Sequence, residues 1–297
     1  MTTMDPTTGR AAAGRAPGGR AAAASGRSAE GAGLGSELTE FAPDLADSDF
    51  DLAVFDLDGT LVDTPRGIVE TFLAAYGAMG EPGPAPDPAA VRATIGLPLE
   101  RAWATLLGVP ETDPRVAEGV RQYLKLFREL VLPRARELLF PGVPEGLAAL
   151  RARGVTLAVA TSKFYASADA LLTAAGLREL FAVVVGADQV AHPKPHPESG
   201  LLVLERLGTP ADRAVMVGDT THDLLMARAA GMRSIAVTYG IHSRAELAGA
   251  EPTWVADTFD EVIEAVTGVA SAAVNTVDAA TAAAVVNAAN AATAAAR

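Results

Sequence analysis

The most chemically suggestive feature of the sequence is a pair of aspartates two residues apart, in the run Phe55-Asp56-Leu57-Asp58-Gly59-Thr60. Side chains alternate in an extended segment, so Asp56 and Asp58 point the same way. Two carboxylates that close invite a divalent cation, and a hard all-oxygen site suits magnesium. One can attack as a nucleophile while the other handles protons, provided their environments differ. The ordinary alternative is a surface Asp-Gly turn after a strand, and Asp-x-Asp alone does not decide between the two.

Three more clusters follow further along the chain. Thr161 closes the run Val155–Ala160, where a hydroxyl can either bond a phosphoryl oxygen or cap the next helix. His192-Pro-Lys194-Pro-His196-Pro197 sets a lysine in a proline-rich loop. Of 24 basic residues only Lys125, Lys163 and Lys194 are lysine, and the last two fall in strand-end loops. A compact ammonium fits among carboxylates and phosphate oxygens where a planar guanidinium does not. The last cluster is Val217-Gly218-Asp219-Thr220-Thr221-His222-Asp223. Here Asp219 and Asp223 share a face once a helix begins and add oxygen ligands, although aspartate is also a routine helix-start residue. Each cluster has a plain structural explanation by itself. Together they place an acid pair, a hydroxyl, a lysine and a second acid pair after separate strands, as one site requires.

The elements that must position these residues are legible as alternating strands and helices. Asp51–Phe55, Val155–Ala160, Ala182–Val185, Ala214–Val217 and Ser234–Val237 are short apolar runs that read as buried strands. Helical patterns at about 144–153, 166–175, 197–207 and 222–230 each stop at a glycine. This alternation implies an α/β fold with a parallel sheet covered on both faces. The carboxyl edge of such a sheet is where ligands bind. From about 65 to 138 the rhythm breaks. Ile68, Phe72 and Tyr76, and then Val116, Val120, Tyr123, Phe127 and Leu130, fall at helical spacing around a proline-rich connector at 81–88. This is a helical insert placed directly after the first strand.

Bulk composition narrows the class. The chain has 297 residues, 49% of them hydrophobic, and no cysteine. That excludes disulfides, thiolate metal sites and cysteine nucleophiles, and fits a reducing cytoplasm. A formal charge of −12 argues against a nucleic-acid-binding surface, and no apolar run is long enough for a membrane span. Residues 1–48 (with Arg10, Arg15, Arg20 and Arg27) and 269–297 are low in complexity and read as tails, the first of them disordered.

The four clusters resemble the motifs of the haloacid dehalogenase-like hydrolase superfamily, in its phosphoglycolate phosphatase-like branch. Phe55–Thr64 matches the first motif, Val159–Lys163 the second, Lys194–Pro197 the third and Val217–Asp223 the fourth. The likeness covers about 50–267. It implies a Rossmann-like core domain (49–64 and 139–268) with a helical cap domain (65–138) inserted after the first strand. It also implies a magnesium-dependent phosphatase acting on a small phosphorylated metabolite such as phosphoglycolate. In that reading Asp56 is the nucleophile and Asp58 the acid and base, while Thr161 and Lys194 hold the phosphoryl group. Asp56, Asp58 (through its backbone carbonyl), Asp219 and Asp223 serve the metal, Asp223 either directly or as support. Thr94–Pro98 resembles the cap segment that faces substrate. Arg66, Arg92 and Arg101 are candidates for meeting a substrate carboxylate or second phosphate, and each reads first as a solvated arginine.

Asp58 argues against a dehalogenase, which needs no leaving-group acid at that position. A phosphonate hydrolase would want a cap lysine, and Lys125 lies mid-helix far from the Gly-Leu-Pro segment. A phosphoglucomutase-like enzyme, a pyrophosphatase and a non-catalytic binding protein stay open as alternatives.

Overall fold

The computed structural model describes residues 50–268, so the two tail segments lie outside the described residues. Six strands form a single sheet: β1 (Leu52–Phe55), β2 (Thr156–Ala160), β3 (Val183–Val185), β4 (Ala214–Gly218), β5 (Arg233–Val237) and β6 (Trp254–Ala256). Their order is β3-β2-β1-β4-β5-β6, and every neighbouring pair is parallel. The α/β architecture is therefore as expected. The strand β6 was not foreseen. It has three residues, Trp-Val-Ala, of which only Ala256 is buried, an apolar run too short to mark a strand.

The sheet is buried on both faces, and the alternation of side chains shows how. Ala53 and Phe55 of β1 join Val159, Val217 and Ile235 in one apolar cluster, whereas Leu52 and Val54 join Ala158 and Met216 in another. The helices that cover these faces belong to the series α1 (Pro65–Met79), α2 (Pro88–Arg92), α3 (Leu99–Leu107), α4 (Pro114–Leu130), α5 (Val143–Ala152), α6 (Tyr165–Ala175), α7 (Glu198–Leu207), α8 (Thr221–Ala229), α9 (Arg244–Ala248) and α10 (Phe259–Thr267). Leu147 and Leu150 of α5 and Phe259 and Ile263 of α10 pack on the first face; Val203 of α7 and Met226 of α8 pack on the second.

Strand order reverses direction at β1, which pairs with β2 on one side and β4 on the other. In an open parallel sheet this switch point leaves a crevice beyond the carboxyl ends, because the connections on its two sides leave over opposite faces. The residues that follow β1 and β4 are Asp56 and Asp219.

Directly after β1 the chain departs from the sheet. The outgoing and returning passes run side by side: Val62 bridges Leu139, the Asp63 amide donates to the Leu138 carbonyl at 2.7 Å, and the Phe140 amide donates to Leu61 at 3.2 Å. Between these passes lie α1 to α4, with no strand. Phe72, Trp103 and Tyr123 form the centre of this helical stretch, with ring centroids 4.8 Å and 4.7 Å from Phe72. Gly119 on α4 makes that packing feasible, since a methyl group there would lie 2.5 Å from the Trp103 ring. Helical spacing correctly placed Val116, Tyr123 and Phe127 inside, but Leu130 at the helix end is 46% exposed.

Candidate active site

Asp56 emerges from β1 into a crowded, nearly dry cluster. Lys194 Nζ donates to Asp56 Oδ1 at 2.7 Å, to Asp223 Oδ1 at 2.5 Å and to the Ala160 carbonyl at 3.1 Å. Those contacts use all three ammonium hydrogens. Lys194 is only 4% exposed, and Asp219 and Asp223 are fully buried. One carboxylate oxygen from each of Asp56, Asp219 and Asp223 lies within 4.8 Å of the others.

Each acid is held by a specific local device. Asp219 Oδ1 accepts from the Thr60 hydroxyl at 2.9 Å, and Oδ2 accepts from the Ile241 amide at 2.8 Å. Gly59, at φ +91°, and Gly240 wall this carboxylate in: a methyl group would fall 2.2 Å from Asp219 Oδ2 at the first and 2.3 Å at the second. No other residue type fits so near. Asp223 Oδ2 accepts from the Thr220 amide at 3.0 Å and hydroxyl at 2.7 Å, the bonding expected of a helix-start acid. Its other oxygen is the one that meets Lys194. The structural and chemical readings of Asp223 thus both hold, one for each oxygen.

Burial, reinforced by Asp223 and Asp58 and only partly offset by Lys194, pushes the Asp56 carboxyl up to about 7. Burial and the neighbouring Asp56 and Asp223 likewise raise Asp219 well above the usual carboxylate range. Three acids face one ammonium here, so the cluster carries excess negative charge away from water. A divalent cation ligated by oxygen is the group whose charge and chemistry fit this donor set.

Asp58 stands apart from the three. Thr64 Oγ1 donates to its Oδ1 at 2.5 Å, and Lys163 Nζ pairs with its Oδ2 at 2.9 Å. Lys163 also lies 4.4 Å from the centre of the Phe127 ring on α4. The scarcity of lysine marked Lys163 as notable, but its partner could not be read from the sequence. The pairing depends on β1 and β2 lying side by side, with Phe55 opposite Val159.

Thr161 is buried, and its Oγ1 accepts from the Lys163 amide at 3.2 Å. It is not a helix cap, because α6 starts only at Tyr165, with Phe164 at the capping position. Next to it Ser162 Oγ is buried with no protein partner, a donor that sequence reasoning passed over. Thr161, Ser162, Lys163 and Lys194 line a cavity of about 60 Å³ together with Asp56 and Asp58. Thr94, Ile95, Gly96 and Leu97 close it from the helical stretch, as expected of that segment. The three candidate arginines are placed elsewhere. Arg66 pairs with Glu70 at 2.9 Å, Arg101 pairs with Glu111 at 3.1 Å, and Arg92 donates to the Gly240 carbonyl at 3.4 Å. Lys125 is exposed and outside the cavity wall. Of the histidines, exposed His192 and His196 gather around half-buried Glu198, and His242 Nδ1 accepts from the Thr221 amide at 3.1 Å.

A buried nucleophile-type carboxylate, an ammonium and further acids at the switch point of a parallel sheet define a hydrolase site for phosphoryl groups, and the comparisons with known proteins agree. Residues 53–237 match the model of the family described as "Haloacid dehalogenase-like hydrolase". "Probable phosphatase IndB" of Dickeya dadantii is 59% identical over 207 residues, covering 70% of this chain and 89% of that protein. A phosphoglycolate phosphatase of Salmonella typhi is 35% identical over 224 residues, covering 70% of this chain and 89% of that protein. Among solved structures, CbbY from Rhodobacter sphaeroides in complex with phosphate is 30% identical, with a TM-score of 0.61, covering 72% of this chain and 96% of that one. The chain belongs to the haloacid dehalogenase-like hydrolase family. Within it the protein is a phosphatase, a phosphoric monoester hydrolase.

Proposed function

We propose that the protein is a magnesium-dependent phosphatase that hydrolyses a small phosphate monoester through a phosphoryl group held covalently on Asp56. The observation that carries this reading is the buried Lys194 ammonium bridging Asp56 and Asp223, with Asp219 completing the acid cluster. Lys194 engages Asp56 Oδ1, which leaves Oδ2 to attack phosphorus in line with the departing oxygen. The phosphorus–oxygen bond to the alcohol breaks, and Asp58 protonates the alkoxide as it leaves. Asp58 then accepts a proton from water attacking the phosphorylated Asp56, which frees inorganic phosphate and regenerates the carboxylate. Thr161 and Ser162 offer hydroxyl donors to the phosphoryl oxygens, and Lys194 offsets charge that develops there. Asp56, Asp219 and Asp223, with the Asp58 carbonyl, would hold magnesium, which supplies positive charge to draw the anionic ester in and to balance the acids. The stretch 65–138 serves as a cap that closes over the reacting groups, hinged where the passes at 62–64 and 138–140 pair.

The test is phosphate release from purified protein with a panel of monoesters and pyrophosphate, in magnesium and in EDTA. Turnover confined to magnesium-loaded protein is expected, and equal turnover in EDTA would count against the reading. Pyrophosphatase and phosphomutase chemistry would use the same aspartates but bring a second phosphate, for which the cavity wall provides no arginine among the described residues.

Two predictions follow from the separate places of Asp58 and the metal cluster. Asp58→Asn should reduce kcat for alkyl phosphates by roughly 10²- to 10⁴-fold. With p-nitrophenyl phosphate, whose leaving group needs no acid, a first-turnover burst of p-nitrophenolate should survive ahead of a slow steady state. The second concerns pH. Asp56 has an ordinary value of 3.8 and is raised to about 7 in the fold, so the metal-free folded state retains a proton that the unfolded state has lost. Its contribution is therefore most favourable below about 4 and is lost as pH rises through about 7. Magnesium should raise the Tm by several degrees at pH 8 and much less at pH 5, where protons occupy its place. Thermal melts with magnesium and with EDTA at both pH values check this.

A further inference from the structure

The cavity beyond the phosphoryl site has two unlike walls. Its floor, from the sheet edge, is polar and charged. Its roof, from α1, α3, α4 and the segment before α3, is apolar: Ile68, Phe72, Leu97, Leu99, Leu124 and Phe127 all face it. The polar groups of that roof are Thr94, whose hydroxyl is already donated to the Val91 carbonyl at 2.7 Å, and Tyr123, a phenol that brings no positive charge. Among the described residues no arginine or histidine lines the cavity, and its two lysines are committed. Lys194 makes three hydrogen bonds within the acid cluster, and Lys163 is paired with Asp58 and covered by the Phe127 ring.

A substrate enters with its phosphate against the floor, so the alcohol it loses lies under this roof. A carboxylate or second phosphate on that alcohol would be desolvated without a free cation and would lie beside the carboxyl groups of Asp56 and Asp58. A hydrocarbon or aromatic body would instead lose only water contact, and each buried methylene strengthens binding about four-fold. From these walls we infer that the substrate is the monophosphate of an uncharged alcohol with an apolar or aromatic body, and that phosphorylated hydroxy acids such as phosphoglycolate are selected against. This inference rests on the phosphatase reading above and specifies its substrate class.

The experiment compares kcat/KM of the full chain, loaded with magnesium, for ethyl, isobutyl and benzyl phosphates and 2-phosphoglycolate. All four leave as primary alcohols, so leaving-group chemistry stays comparable. Isobutyl and benzyl phosphates should exceed ethyl phosphate by at least about 10-fold and phosphoglycolate by about 100-fold. Leu97→Arg, which places a cation in the half-buried part of the roof, should shift the benzyl-to-phosphoglycolate ratio towards phosphoglycolate by about 10-fold or more. Should that variant not fold, the wild-type ranking still decides. Turnover with phosphoglycolate equal to or ahead of benzyl phosphate would overturn the substrate class while leaving the phosphatase intact. Absence of turnover with every ester would overturn the phosphatase reading and the substrate class with it.

Discussion

Asp56→Asn should abolish phosphate release, lowering kcat by at least about 10⁴-fold with every ester that the wild type hydrolyses. An amide at this position keeps the size and shape of the carboxylate but has no lone pair of comparable nucleophilicity. The fold should survive. Asp56 is one of three buried acids sharing one lysine, and its ionisation is already resisted by burial. Removing its charge relieves repulsion with Asp219 and Asp223 while weakening one of the three Lys194 hydrogen bonds, which the amide oxygen still accepts but without a charge. These effects oppose each other, so the Tm in EDTA should stay within a few degrees of wild type. An inactive and well-folded variant separates chemistry from structure. Retained turnover would mean that another group attacks phosphorus.

Lys194→Met should have the opposite character, with both structure and chemistry lost. The thioether fills the space of the lysine stem but leaves Asp56, Asp223 and the Ala160 carbonyl without their donor. Breaking a buried pair by removing one partner costs about 3–5 kcal/mol, because the remaining charges stay buried and unbalanced. For a protein of this size that corresponds to a fall in Tm of roughly 6–20 °C in EDTA. Magnesium should recover part of that loss by supplying charge to the same acids, and the recovery should exceed the shift seen in wild type. Catalysis should fall by on the order of 10²- to 10³-fold even in magnesium, since a charge facing the phosphoryl oxygens is gone. Melting curves with and without magnesium, read alongside kcat, check both halves. A variant as stable as wild type in EDTA would show that the acid cluster does not depend on this ammonium.

The contrast between these variants reflects what the sequence makes legible. The strands β1 to β5 could be read from apolar runs because both faces of the sheet are buried, which leaves no polar alternation to obscure them. The strand β6 has one buried residue and escaped. Asp56, Lys194, Asp219 and Asp223 could be grouped because each follows a strand, Asp56 and Asp219 immediately, Asp223 in the first turn of α8 and Lys194 in the loop beyond β3, and a parallel sheet gathers these segments at one edge. What the spacing did not carry was the assignment of partners. Thr60 reaches Asp219 and Lys163 reaches Asp58 through contacts between separate strand-end loops, fixed by register and loop shape. The arginines show the same limit from the other side. Arg66, Arg92 and Arg101 lie in the right stretch of chain, but helix rotation turns them to Glu70, the Gly240 carbonyl and Glu111. The apolar roof was written in residues that helical periodicity marked as core, Ile68, Phe72 and Phe127 among them. Periodicity finds a buried face without distinguishing packed protein from the wall of a cavity.

A phosphoryl group that passes through Asp56 must be recoverable on that residue. The most direct test uses Asp58→Asn, in which release of the phosphoryl group to water is slowed. The variant would be mixed with p-nitrophenyl phosphate and magnesium, quenched in acid during the burst, digested and mapped by mass spectrometry. One phosphoryl group is expected on the peptide carrying Asp56, equal in amount to the burst of p-nitrophenolate. A phosphoryl group on a different residue, or a burst with no phosphorylated peptide, would contradict passage through Asp56.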